Sequence, residues 1–142
     1  VSGKSIREHE AESLREPCPY HVIELGLRYH DRETLYGRIN RRVDKMVEMG
    51  LTEEVKAARK QGLTATAAQA IGCKELYSWL DGKETQEEAL EKLKQSTRRY
   101  AKRQLTWFGT DQRMRWIEPD TLAAGETPLD KAMEILEKEG MA

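Results

Sequence analysis

The sequence contains only two cysteines, Cys18 and Cys73, which lie far apart without a CxxC pair. This spacing excludes a disulfide framework and gives no support to a zinc site with thiolate ligands. Long apolar runs are also missing, since no stretch approaches the roughly 20 uncharged residues of a membrane helix. The first residues lack the apolar core of a signal peptide. We therefore expect a cytoplasmic protein that makes no membrane contact.

Strongly apolar residues are scarce: Leu, Ile, Val and Phe together number 26 of 142, and there is a single Phe. So few would suggest disorder if the net charge were large, but 24 basic residues nearly balance 25 acidic ones. Three Trp, five Tyr and clear helical periods favour one folded domain with a thin core. Such a core is expected to complete itself against another segment or domain.

None of the common catalytic or metal-binding residue combinations is complete in this sequence. Cys18 and His21 have a ligand-like spacing without a second pair, and neither His9 nor His30 has a second metal-ligating residue at a suitable spacing in the sequence. No Ser/His/Asp arrangement and no pair of carboxylates stands out. We expect neither a catalytic base nor a metal site in this chain.

Two segments predict strands. Residues 20–27 (YHVIELGL) are rich in β-forming side chains and carry one charge, Glu24, as expected of a mostly buried strand. Residues 113–117 (RMRWI) predict a second strand, and most of the remaining chain has helical periods. The predicted fold class is α/β, mostly helical, with one or two strands of a parallel sheet.

A helix is predicted from Asp31, which can cap its first turn, to Gly50. Thr52 is predicted to cap a short helix that ends near Gly62. The apolar residues of the first helix recur at three- and four-residue spacing and are expected to form core: Leu35, Ile39, Val43, Met46 and Val47.

A long basic helix is predicted at about 85–110. Thr85 and Glu88 form a capping box at its start, and acidic residues crowd its first turns while basic ones come later, which suits the helix dipole. One apolar stripe is expected to be buried: Leu90, Leu93, Thr97, Ala101, Leu105 and Phe108.

Charge is unevenly distributed. Residues 92–115 hold eight basic side chains and one acidic one, whereas residues 120–142 hold six acidic and two basic ones. The basic cluster, with Tyr100, Gln104 and Trp107 nearby, could bind RNA phosphates and offer planar groups to bases. A merely solvated helix face is the alternative.

Arg42 lies beside Arg38, Arg41 and Lys45. An arginine in such a setting presents a rigid fork of donors that can bind a diphosphate. Surface arginines are common, so an ordinary solvated arginine remains the alternative.

Three segments, with RMRWIEP behind them, resemble a known family: DRETLYGRINRRVDKMVEMGLTEEV (31–55), TAAQAIGCKEL (66–76) and STRRYAKRQLTWF (96–108). They resemble the C-terminal half of the tRNA dimethylallyltransferases, over residues 1 to about 119. The resemblance implies a P-loop-kinase-like parallel sheet with an inserted helical domain that clasps the anticodon stem. Residues 1–19 would be the tail of that inserted domain, and residues 20–142 the C-terminal part of the core domain.

The family transfers a dimethylallyl group from dimethylallyl diphosphate to N6 of the adenosine next to the tRNA anticodon. By resemblance, the phosphate loop, the general base and the Mg²⁺ ligands belong to an N-terminal half that is absent here. The implied partners are the tRNA anticodon stem-loop, dimethylallyl diphosphate and that half. We expect no cofactor bound to this part and a monomeric full-length enzyme.

The same resemblance assigns site residues. Arg42 matches an arginine that contacts the prenyl diphosphate. Cys73 stands where the family often has an aromatic residue, and Gly72 would let the backbone approach RNA closely. Two segments match regions that touch tRNA: Gln69, Ala70, Ile71, Gly72, Cys73 and Lys74, and then Ser96, Thr97, Arg98, Arg99, Tyr100, Ala101, Lys102 and Arg103.

Two other functions remain open. One is a stand-alone helical RNA-binding module without catalysis, and the other is a structural bundle whose basic face is only solvated. If the two predicted strands lie side by side and parallel, they belong to the sheet of a larger α/β domain.

Overall fold

The computed structural model describes residues 3–13, 19–62, 64 and 68–140. Within these ranges, no helix is both long and apolar enough to cross a membrane. The described ranges form six helices and two strands, which confirms a mostly helical α/β fold: α1 (Ile6–Ser13), β1 (Glu24–Leu27), α2 (Arg32–Glu48), α3 (Leu51–Gln61), α4 (Cys73–Leu80), α5 (Gln86–Phe108), β2 (Met114–Ile117) and α6 (Pro128–Lys138).

The two strands pair in parallel, with Glu24 opposite Met114 and Leu27 opposite Ile117. Both are shorter than predicted, because the paired ladder covers four residues of each strand. The connection between them runs through α2 to α5, as a parallel pair requires a long crossover. The predicted parallel pairing is confirmed.

Gly26 sits in β1 opposite Trp116. A Cβ atom at this position would lie 2.5 Å from Cε of Met114 and 2.7 Å from Cζ3 of Trp116. Glycine therefore allows these two side chains of β2 to close over β1.

The prediction that the first strand is mostly buried is wrong. Leu25 and Leu27 are 39% and 63% exposed, and Tyr20 and Val22 before them are exposed as well. A parallel sheet is buried when layers cover both of its faces. Here an apolar groove of about 370 Å³, lined by residues that include Leu27, Leu105 and Trp116, separates the sheet from α5. The strand therefore lacks a tight covering layer in the described structure.

The main core lies where α3, α4 and α5 meet. Its buried members are Val55, Leu76 and Ala89, of which Leu76 is completely enclosed. Partly buried side chains surround them, including Cys73 of α4 and Leu90 of α5. The core is small, in line with the low content of large aliphatic residues.

The predicted caps are mostly correct. Asp31 accepts a hydrogen bond from the backbone N–H of Thr34 at 2.7 Å, and Thr85 and Glu88 form the reciprocal capping box of α5. Thr52 is not a cap, because α3 begins at Leu51 and Gly50, with φ +100°, takes the N-cap position. Thr52 is instead buried in the first turn of α3.

Both predicted core stripes are only partly correct. In α2, Val43 is buried, Leu35, Ile39 and Val47 are half-buried and Met46 is exposed. In α5, Leu93 is buried and Phe108 is 46% exposed. Ala89, which lies outside the predicted stripe, is fully enclosed because α4 packs there. The buried residues of α5 therefore lie in its N-terminal half.

Candidate nucleic-acid interface

Helices α2 and α5 lie side by side and are joined by polar contacts. Nζ of Lys94 lies 2.8 Å from Oδ1 of Asp44, and Nη1 of Arg98 donates a 2.6 Å hydrogen bond to Oδ1 of Asn40. Moving one turn towards the C-terminus of α5 moves the contact one turn towards the N-terminus of α2. The two helices are therefore antiparallel.

Lys94 and Arg98 are engaged in this packing. The hydrogen bond that Lys94 donates to Asp44 raises the pKa of Lys94 above its usual value, so Lys94 remains charged at neutral pH. The guanidinium of Arg98 also lies 5.9 Å from the centroid of the Tyr36 ring, at the distance of a cation–π contact. Arg98, predicted to touch tRNA, is thus half-buried and has a structural role.

Three cations of α5 are more available. Arg99, Lys102 and Arg103 are exposed, and the guanidinium of Arg103 lies 5.6 Å from the centroid of the exposed Tyr100 ring. Arg99 and Lys102 form no side-chain ion pair with another described residue. Both can therefore bind an anionic chain without first breaking an ion pair with a described residue.

The other members of the 96–103 segment face the protein. Ser96, Thr97 and Ala101 are half-buried, and Oγ1 of Thr97 donates a 2.8 Å hydrogen bond to the carbonyl oxygen of Leu93. Four of the eight predicted residues are thus half-buried, and the other four are exposed.

The 69–74 segment leads into α4. Gly72 is the N-cap of that helix with φ +104°, a conformation that favours glycine, and its N–H donates a 2.9 Å hydrogen bond to Oε2 of Glu75. Gln69, Ala70 and Lys74 are exposed. The segment is therefore a loop held in shape by one buried carboxylate.

Glu75 was missed by the sequence analysis. It is only 6% exposed, its Oε1 lacks a hydrogen-bond partner within the described part of the chain, and Nζ of Lys74 lies 3.7 Å away. An acidic residue three positions after an N-cap is the signal that could have found it.

The two predicted tRNA segments lie on different elements. Cys73 of the 69–74 segment is the first residue of α4 and packs against the core of Val55, Leu76 and Ala89. The exposed cations of the 96–103 segment lie in the C-terminal half of α5.

Arg42 is exposed and makes no ion pair with any other residue in the described ranges. Asn40 and Asp44 contact α5, and Arg42 lies about 200° around α2 from each of them. Its side chain is therefore on the side of α2 away from α5, and the structure does not bring it together with the exposed cations of α5.

Arg42 belongs to a row with Arg38 on that outer side. The guanidinium of Arg38 lies 5.3 Å from the centroid of the Tyr29 ring, two residues after β1. The row thus begins near the carboxyl end of β1. In open parallel sheets, ligands bind outside the carboxyl ends of the strands, which is a suitable place for an anionic ligand.

A second cleft, which shares Tyr29, Leu35 and Leu105 with the apolar groove beside the sheet, opens between the N-terminal end of α2 and the C-terminal half of α5. Its volume is about 280 Å³, and its floor is formed by Leu35 and Leu105. We call it the α2–α5 cleft; its remaining lining residues are Tyr29, His30, Arg32, Tyr36, Lys102 and Thr106. Sequence analysis missed it because its residues come from segments about 70 positions apart.

Among the described residues, no group of three or more His, Cys, Asp and Glu side chains is arranged to hold a metal ion.

The chain is similar to known proteins over most of its length. The family model described as IPP transferase matches residues 1–111. The chain is 45% identical over 119 residues to the tRNA dimethylallyltransferase of Halalkalibacterium halodurans, covering 83% of this chain and 38% of the relative. It is 44% identical to the tRNA dimethylallyltransferase of Shouchella clausii, covering 100% of this chain and 45% of the relative.

Two solved structures share the fold. The full-length tRNA isopentenylpyrophosphate transferase from Bacillus halodurans matches with a TM-score of 0.74 and 43% identity over 95% of this chain and 43% of that one. The tRNA delta(2)-isopentenylpyrophosphate transferase from Staphylococcus epidermidis matches with a TM-score of 0.72 and 37% identity, over 94% of this chain and 42% of that one. The chain thus spans less than half the length of these relatives, and it belongs to the IPP transferase family.

Proposed function

We propose that this chain functions in tRNA modification, as the C-terminal part of an enzyme that transfers a dimethylallyl group to N6 of the adenosine next to the anticodon. The observation that carries the proposal is the free cationic face of α5, formed by Arg99, Lys102 and Arg103, in a chain with 44–45% identity to tRNA dimethylallyltransferases.

RNA binding is the first contribution. Exposed Lys and Arg side chains release counterions when they bind phosphates, which makes binding strong and salt-dependent. Tyr100, 45% exposed beside Arg103, offers a ring face for a base. The segment at 69–74, in which Gln69, Ala70 and Lys74 are exposed, adds a second surface for the same RNA.

Diphosphate binding is the second contribution, and it rests on Arg42. As the carbon–oxygen bond to the leaving diphosphate breaks, negative charge develops on the departing oxygen. A pre-placed guanidinium can stabilise that charge and hold the diphosphate through two parallel hydrogen bonds. The exposed, unpaired state of Arg42 leaves its donors available for this role.

The target adenosine must leave its base stack before N6 can reach a prenyl group. Unstacking costs a few kcal/mol, which the protein–RNA contacts must offset. The cations of α5 supply part of that stabilisation by holding the loop backbone. In this proposal, general-base chemistry and Mg²⁺ binding belong to the part of the enzyme that precedes this chain.

A stand-alone RNA-binding module is the second candidate. It is favoured by the separation of Arg42 from the cationic face of α5, since the described residues bring no complete catalytic group together. A module of this kind would bind an anticodon stem-loop by itself and add nothing to catalysis.

A chimaera separates the two candidates. The matching segment of the Halalkalibacterium halodurans enzyme is replaced by this chain, and transfer of a radiolabelled dimethylallyl group to an anticodon stem-loop is measured. Transfer well above that of the truncated relative supports the prenyltransferase. An inactive but folded and RNA-binding chimaera supports the binding module.

RNA binding is tested on the chain itself by filter binding at several salt concentrations. Replacing Arg99 and Arg103 with Ala should weaken binding to the stem-loop and make the salt dependence shallower by about 1.4 in the logarithmic slope, at about 0.7 for each phosphate contact with a single strand. An unchanged slope would show that this helix face is only solvated.

A further inference from the structure

We propose that the α2–α5 cleft is a nucleotide subsite, in which Arg32 and Lys102 hold a phosphate of single-stranded RNA and Tyr36 packs against the attached base. The inference rests on the proposed function, because it takes the ligand to be the RNA that the family modifies. It adds α2 to the RNA contacts, an element that the sequence analysis connected only with diphosphate.

Two cations from different helices line the cleft. Arg32 is in the first turn of α2 and Lys102 is in α5, both are exposed, and neither forms an ion pair with another residue of the described ranges. Tyr36 lies one turn before Asn40 in α2, and Lys102 lies one turn after Arg98 in α5. Because the helices are antiparallel, both residues lie on the same side of the Asn40–Arg98 contact. The helix pair therefore holds the backbones of these residues close together.

No carboxylate of a residue that the structure describes lines the cleft itself. Three carboxylates close to it in sequence or contact are directed to other groups. Asp31 caps α2 and accepts hydrogen bonds from Thr34, and Asp120 accepts hydrogen bonds from the backbone N–H groups of His30 and Asp31 at 3.0 and 2.8 Å. Glu118 accepts a hydrogen bond from Arg28 at 2.7 Å and lies 3.4 Å from Nδ1 of His30. Arg32 and Lys102 are therefore the charged side chains that an anion in the cleft would meet.

Two tyrosines supply the planar surfaces. Tyr29 and Tyr36 are half-buried, and each has an arginine near its ring, Arg38 at 5.3 Å and Arg98 at 5.9 Å from the respective centroid. Arg98 is itself fixed by Asn40, so the Tyr36 ring is held in place. Aromatic rings positioned beside cations are the usual surface on which unstacked RNA bases rest.

The size of the cleft limits what it can hold. At about 280 Å³ it falls just below the pockets of about 300–1,000 Å³ that enclose whole drug-sized ligands. The hydroxyl of Thr106 and the imidazole of His30 add hydrogen-bonding groups to its wall. A phosphate with one base fits this combination of two cations, an aromatic ring and a small apolar floor.

The test uses filter binding of the whole chain to a radiolabelled anticodon stem-loop across a salt series. The Arg32→Ala, Lys102→Ala double variant should bind more weakly and lose about 1.4 from the logarithmic salt slope, for two phosphate contacts. Tyr36→Leu should weaken binding by about fivefold or more, since stacking on a base contributes about 1–3 kcal/mol, and Tyr36→Phe should restore it. Circular dichroism melting shows which variants are folded.

A control variant, Arg41→Ala with Lys60→Ala, removes two exposed cations outside the cleft and should leave the slope nearly unchanged. If the cleft variants bind like the unaltered chain while Arg99→Ala with Arg103→Ala weakens binding, the subsite is wrong and the proposed function stands. If neither the cleft variants nor Arg99→Ala with Arg103→Ala weaken binding to the stem-loop, the proposed function is wrong as well.

The phosphate could also come from a free diphosphate. Inorganic diphosphate is therefore added as a competitor to the unaltered chain. Weak competition supports an RNA phosphate in the cleft. Strong competition that disappears in the Arg32→Ala, Lys102→Ala variant would overturn the nucleotide assignment and assign the cleft to diphosphate.

Discussion

Arg42 and Arg98 show that two arginines predicted to contact anionic ligands can have different roles. Arg98 is half-buried, hydrogen-bonded to Asn40 and close to the Tyr36 ring, so its charge helps to join two helices. Arg42 is exposed and unpaired among the described residues. Mutating each one is therefore expected to produce a different kind of defect.

Replacing Arg42 with Ala in the chimaera should weaken use of dimethylallyl diphosphate, because the leaving group loses a cation, while the stem-loop still binds. The measurement is kcat/KM for dimethylallyl diphosphate together with RNA filter binding. Arg41→Ala is the matched control, since Arg41 is an exposed neighbour on the same helix. Equal losses of prenyl donor use and RNA binding would contradict the assigned role.

Replacing Leu76 with Ala should destabilise the fold by about 2–5 kcal/mol, the usual cost of a cavity left by a large aliphatic side chain. Leu76 is fully enclosed where α3, α4 and α5 meet. The free energy of unfolding is measured by urea denaturation followed by circular dichroism. Leu129, which is 70% exposed, is the control, and its replacement should change stability by no more than about 0.5 kcal/mol.

The position of the basic cluster could be predicted from the sequence, but the environment of its individual side chains could not. The basic cluster at 92–115 could be located from the sequence, but the division between packed Arg98 and free Arg99 depends on where α2 lies. Glu75 was missed because burial of a carboxylate follows from the packing of α4 and not from its own sequence neighbours. The charge of these residues was therefore known in advance, while their burial and their contacts depended on the tertiary structure.

Helix boundaries follow from local chemistry, and most were predictable for that reason. The Asp31 cap and the Thr85–Glu88 capping box each depend on residues within one turn. The error at Thr52 has a local cause as well: Gly50 adopts φ +100° as the N-cap, so α3 begins at Leu51, two residues before the first helical position that a Thr52 cap would give.

Replacing Thr85 with Ala should destabilise the protein by about 1 kcal/mol, the typical cost of losing an N-cap side chain. Its Oγ1 accepts the N–H of Glu88 at 3.2 Å. Thr106→Ala, at an exposed position in the last turn of the same helix, is the control and should not reduce stability, because Ala is the better helix former. Similar losses for both variants in urea denaturation would show that the cap contributes nothing.

At the scale of the whole molecule, stability depends on pH through carboxylates that are held in ion pairs, and two of these titrate at low pH. Hydrogen bonding from Arg113 lowers the pKa of Asp111 to about 2, and hydrogen bonding from Lys131 and Lys138 lowers the pKa of Glu134 to about 2. A carboxylate whose pKa is lower in the folded state stabilises that state above its usual pKa. This stabilisation is lost as the pH falls from about 4 to about 2.

The melting temperature should therefore be nearly constant between about pH 5 and 7 and fall below about pH 4. The measurement is thermal denaturation followed by circular dichroism. The Asp111→Asn, Glu134→Gln variant should have a lower melting temperature at pH 7. Its melting temperature should also decrease less on acidification. Parallel curves for the variant and the unaltered chain would show that these carboxylates do not cause the acid sensitivity.

The pairing of the two strands could be predicted, but their exposure could not. β-forming residues in two segments, joined by a long helical connection, are enough to predict a parallel pair. Burial of Leu25 and Leu27 depends on the layers that cover the sheet, and the described residues leave an apolar groove there. The resemblance to a protein more than twice as long explains why the sequence pattern is that of a buried strand.

The exposed side chain of Trp107 gives the chain an internal optical reporter. Trp107 is 77% exposed near the end of α5, whereas Trp79 and Trp116 are half-buried beside Lys56 and Arg28. Iodide should therefore quench the indole emission of Trp107 preferentially. Because Trp107 follows Thr106 of the α2–α5 cleft, a bound oligonucleotide should shield it, and occupancy can be followed without a dye.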